Sequence, residues 1–141
     1  MKFQLTALKQ QLFKAAICAR IPTDQIDAKG NTVFGEANFV GLFKTQPISF
    51  AREQFEQLEV LRESGDTKGA LALAAKQLDD AFIGFEKHPA HDFPFLDGDE
   101  PITCTPDSIK ALLDIKEVRE AIQDAFNTAR SGDVLAKNSK K

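Results

Sequence analysis

The sequence predicts a mainly α-helical domain with a minor β-hairpin element near its N-terminus, and three observations carry that expectation. Apolar residues recur at spacings of three and four over several stretches, and capping residues bracket two consecutive helices between Thr105 and Gly132. Between Ile17 and Phe50 the period changes, with glycines breaking any helix and β-like runs between them. At 141 residues the chain is sized for one domain, expected over residues 1–132, with a flexible basic tail over residues 133–141 that carries Lys137, Lys140 and Lys141.

Taken in order, Leu5, Leu8, Leu12 and Phe13, with Ala15 and Ala16 beyond, recur at helical spacing behind a possible Thr6 cap. They predict a first amphipathic helix over about residues 6–16. Pro22, Gly30, Asn31, Gly35 and Gly41 then exclude a helix. Thr32-Val33-Phe34 and Phe39-Val40-Gly41-Leu42-Phe43 are β-like, and Ala28-Lys29-Gly30-Asn31 has the composition of a hairpin turn. Ser49 is the expected N-cap of a second helix that carries Phe55, Leu58 and Leu61 inward and stops at Ser64-Gly65-Asp66. A third helix starts near Thr67, and the stripe of Leu71, Ala74, Leu78, Phe82 and Phe85 marks it as the central core helix.

Lys87 to Pro101 is a proline-rich acidic loop, long for a compact domain. Thr105 then caps a helix with Pro106 at its first position and Asp107 beside the positive end of the dipole, followed by an Ile109, Leu112 and Leu113 stripe. Asp114 with Glu117 three residues on reads as a capping box for the last helix. Its Ile115, Val118, Ile122, Phe126 and Ala129 fall at helical spacing before Ser131 and a left-handed stop at Gly132.

A net charge of −3 argues against nucleic-acid and anionic-membrane partners. No apolar run approaches the roughly 20 residues of a membrane helix. Lys2, Lys9 and Lys14 interrupt the start, so no secretory leader is expected and the location inferred is cytoplasmic. Cys18 and Cys104 are expected as free, buried thiols. Twelve Phe with no Trp or Tyr supply apolar bulk without polar handles, and without a basic groove they do not suggest base stacking.

His88, His91 and Asp92 are the cluster nearest to a zinc set, but a fourth ligand is not evident, and a polar loop is the expectation. Asp97-Gly98-Asp99-Glu100 lacks the alternating ligands of a calcium loop. Glu53, Glu56, Asp79 and Asp80 fall on solvated helix faces, and no nucleophile elbow, Walker loop or dinucleotide fingerprint occurs. No catalytic residue, cofactor or metal is expected. The apolar groups that stand apart are Phe93, Phe95 and Leu96 among prolines, and Phe39, Val40, Leu42 and Phe43 on a strand. Each set either tucks onto the core or meets another chain, and together they are the candidate protein-interaction residues.

This order of elements resembles the tail assembly chaperones of long-tailed bacteriophages: a leading helix, a β element through Phe39-Val40-Gly41-Leu42-Phe43 into Pro47, a helical middle, and Thr105-Pro106-Asp107-Ser108-Ile109 opening a terminal helix pair that contains Ala125-Phe126. The resemblance implies a non-enzymatic protein of the host cytoplasm that self-associates into rings or spirals. It also implies binding of the tape-measure and tail-tube proteins during tail morphogenesis, and absence from the mature virion. A ribosomal frameshift near the end of the short product is common in that family, and Ala136-Lys137-Asn138 can be encoded with the slippery heptamer A-AAA-AAC. The rival class is a small helical bacterial adapter or regulator that acts as a monomer or dimer.

Overall fold

Phe13, Ala15, Ile17, Ala19 and Ile21 alternate with Lys14, Ala16, Cys18 and Arg20, a period of two, and the chain answers with a strand. The computed structural model describes residues 1–8 and 11–129. The expected Ser131-Gly132 stop, the basic tail and the Ala136-Lys137-Asn138 tripeptide lie outside the described residues. A one-turn helix α1 (Leu5–Leu8) precedes β1 (Leu12–Ile26), so the predicted helix over residues 6–16 is corrected to a single turn and the start of a strand. Ile17 and Ala19 point inward at 2% and 1% exposure.

β2 (Thr32–Lys44) returns from the tip as one continuous strand rather than two short pieces. The turn between them is the predicted one. Asp27 Oδ1 accepts from the N–H groups of Lys29 and Asn31, both at 2.9 Å, and Asp27 N–H donates to Asn31 O at 2.8 Å. α2 (Ile48–Glu63) and α3 (Thr67–Ala81) form a helical hairpin, and β3 (Phe82–Lys87) follows directly. The stripe expected to continue the helix through Phe82 and Phe85 therefore crosses into a strand. Gly84 lies in that strand, where a Cβ placed on it would stand 3.1 Å from Leu42 Cδ1 and 3.4 Å from Cys104 Sγ, a tight approach that favours glycine.

The three long strands make one antiparallel sheet in the order β1-β2-β3, with β2 in the middle. Leu96–Asp97 (β4) and Glu100–Pro101 (β5) pair as a small separate hairpin, Leu96 opposite Pro101. α4 (Pro106–Leu113) and α5 (Lys116–Asn127) close the described chain. With strands of 15 and 13 residues beside the helices, the fold is mixed α and β. The expectation of a mainly helical, all-α class is corrected: period-two alternation over β1 prevails over an accidental three-and-four spacing among Leu5, Leu8 and Leu12.

The chain separates into two compact units. Residues 1–13 with 43–83 form the first, and 14–42 with 84 onward the second. In the first, Phe43 is fully buried, stacked on Phe13 with ring centroids 5.3 Å apart and tilted against Phe82 at 5.5 Å. Thr45, 7% exposed, donates its N–H to Gln11 O at 2.8 Å and accepts from Gln11 N–H on Oγ1 at 3.2 Å. Asp66 caps α3, accepting from Gly69 N–H at 2.9 Å. α2 starts at Pro47 with no side-chain cap, which corrects the Ser49 assignment.

In the second unit Phe39, fully buried, meets Phe93 and Phe95 edge-on at 6.4 and 5.3 Å, and Phe93 stacks on Phe85 at 5.4 Å. Ile17, Ala37, Leu112, Leu113, Val118 and Ile122 complete that core. Thr105 caps α4 as predicted, with Ser108 as its reciprocal partner. Asp114 does not cap α5; that place falls to Ile115, which has no side-chain cap. Both cysteines are free but exposed, not buried.

Candidate interaction surface

The residues singled out in the sequence divide by burial. Phe39, Val40 and Phe43 are core residues, at 0%, 9% and 0% exposure, and Leu42, Phe93 and Phe95 are half-buried. Because β2 is the middle strand, the backbone edges of residues 39–43 are engaged within the sheet. The loop phenylalanines take the inward course and pack on Phe39 and Phe85. Leu96 stands out at 58% exposure on the small hairpin.

Further exposed apolar groups lie on the α2–α3 hairpin. Phe55, Val60 and Leu71 are 61%, 63% and 66% exposed, and Phe50 is 36% exposed. The inward assignment of Phe55 is therefore corrected, whereas Leu58 and Leu61 are half-buried. Where α2 packs on α3, a groove of about 330 Å³ is lined by Leu58, Arg62, Gly65, Thr67, Ala70, Leu71 and Ala74. Phe55 continues the Leu58 and Arg62 side of α2 at helical spacing. Arg62 Nη1 pairs with Glu59 Oε1 at 3.4 Å with both side chains largely solvated, an interaction of small energetic weight. The signal that sequence reading missed was Val60, an isolated apolar residue on an otherwise charged helix face.

His88 and His91 have ring centroids 4.9 Å apart, but His88 Nδ1 already accepts from Ala90 N–H at 3.0 Å. Among the described residues, no group of three or more His, Cys, Asp or Glu is gathered as a metal site would need. Likewise no helix among them is long and apolar enough to cross a membrane. What the arrangement offers is contact area: an apolar groove between two helices, with carboxylates on the neighbouring turns.

No family model matches the chain, and no curated protein or solved structure matches it either.

Proposed function

We propose that this chain is a non-enzymatic assembly chaperone of long-tailed bacteriophages, which self-associates and holds tape-measure and tail-tube proteins during tail morphogenesis. The observation that carries the reading is the α2–α3 hairpin, where Phe55, Val60 and Leu71 are each more than half exposed. Scattered single apolar residues are ordinary, but Phe55 and Leu71 beside the groove between α2 and α3 make a surface that a second chain can cover. The similarity of the Thr105-Pro106-Asp107 helix opening and the terminal helix pair to such chaperones adds support.

The mechanism is reversible covering. A long helical client exposes an apolar stripe until it is assembled, and the hairpin supplies matching apolar area while a net charge of −3 keeps the complex dispersed. Co-expression with a tape-measure protein of a long-tailed bacteriophage tests the reading. The expected result is a soluble tape measure that co-elutes with this chain. A tape measure that stays insoluble while this chain elutes alone would overturn it and favour the adapter class.

A further inference from the structure

α2 presents a second stripe, on a different side from the groove it shares with α3. Glu53, Glu56, Gln57, Val60 and Leu61 follow one another at three- and four-residue steps and line an open groove of about 550 Å³. Phe50 lies one turn before Glu53 on the same line, 36% exposed, and Val60 is 63% exposed. Along the helix the stripe reads apolar, acidic, apolar. Among the described residues neither Glu53 nor Glu56 has an ion pair, although Arg52 stands four residues before Glu56 on the same helix.

The geometry points to docking of a basic amphipathic helix from a partner protein along this stripe. Its apolar side chains would cover Phe50, Val60 and Leu61, and its lysines or arginines would meet Glu53 and Glu56. Charge selects this occupant. A second copy laid stripe to stripe presents only carboxylates, an amide and apolar groups along that line, so it brings no cation to Glu53 or Glu56. Nucleic-acid phosphates and anionic lipids meet repulsion from the same carboxylates. A helix with one basic edge satisfies the apolar positions and the carboxylates together, in the helix-in-groove mode. The inference rests on the chaperone reading only for the partner's identity as a tail protein; the stripe itself is a property of α2.

The test uses the full chain and fluorescently labelled synthetic helices: a lysine–leucine amphipathic helix, its glutamate–leucine counterpart, and a lysine–leucine peptide of the same composition scrambled to lose its apolar face. Anisotropy titrations are expected to show tight binding of the first alone. Glu53→Lys with Glu56→Lys weakens that binding by about tenfold or more and admits the glutamate helix. Val60→Ser, which changes no charge, weakens it by roughly three- to tenfold. Circular dichroism checks each fold, and Glu53→Gln with Glu56→Gln replaces the lysine pair should that variant unfold. Equal binding of the scrambled peptide, or binding unaffected by both the charge and the Val60 changes, overturns the proposal. Co-expression separates the two claims. If the α2 variants keep the tape measure soluble as well as the unaltered chain does, the chaperone reading stands and this docking stripe does not. Peptide binding that depends on α2 without solubilisation leaves the stripe and removes the chaperone reading.

Discussion

Thr105 does its work with a single oxygen. Its Oγ1 accepts from Ser108 N–H at 3.2 Å, and Ser108 Oγ accepts in return from Thr105 N–H at 2.8 Å, so two donors at the start of α4 are satisfied by two adjacent side chains. Thr105→Ala is expected to cost about 0.5–2 kcal/mol in urea unfolding, and Thr105→Ser to restore most of it. Equal stability of the alanine variant would show that the cap contributes nothing. This site was legible because every part of it lies within a few residues. Asp114 and Glu117 have the same local look and are not a cap, for a reason the local pattern does not carry. An N-cap needs extended backbone, whereas Asp114 has φ −85° and ψ −9° because it is finishing α4, its N–H bonded back to Lys110 O at 3.0 Å. One residue cannot hold both conformations, so the start of α5 passes to Ile115.

At the scale of elements, the β1–β2 turn shows what short-range chemistry specifies and what it leaves open. Gly30 has φ +84°, the left-handed region in which a side chain clashes with the following carbonyl, and its N–H donates to Asp27 O at 3.0 Å. Gly30→Val is expected to destabilise by about 1–2 kcal/mol and to speed amide exchange at Asp27 and Asn31; unchanged exchange would rule out this turn. The turn was readable from Gly30-Asn31, but the length of the strands it joins was not. Leu5, Leu8 and Leu12 match a helical template, while Phe13 to Ile21 match a strand, and the two overlap at Leu12 and Phe13. The alternating run won because it buries Ile17 and Ala19 in a sheet. A comparable overlap occurs at Phe82 and Phe85, where helical spacing from Leu71 coincides with an apolar Phe82-Ile83-Gly84-Phe85 run. There the deciding contacts, Phe82 on Phe43 and Leu42 beside Gly84, are about 40 residues away in sequence and invisible to any local window.

For the whole molecule, the question is which surface is free to join copies together. The sequence points to Phe39–Phe43 and the Phe93-Pro94-Phe95 loop, which Phe39→Asp with Phe95→Asp would disrupt. Phe39 is fully buried, and Phe95 packs edge-on against it at 5.3 Å, so that pair of changes would put carboxylates into the core and is now expected to unfold the chain. The α2–α3 groove is the better candidate. Phe55 and Leu71 are 61% and 66% exposed, so Phe55→Asp with Leu71→Asp removes apolar contact area at little cost to the fold. Covering one large apolar side chain in a contact contributes roughly 1.5–3 kcal/mol, enough for two such losses to dissociate a weak assembly. Sedimentation velocity over a range of concentrations should therefore show a self-associating wild type and a monomeric Phe55→Asp, Leu71→Asp variant with unchanged circular dichroism. An assembly that survives these changes would move the contact elsewhere. A wild type that remains monomeric at every concentration would remove self-association altogether, and with it the ring or spiral that the chaperone reading requires.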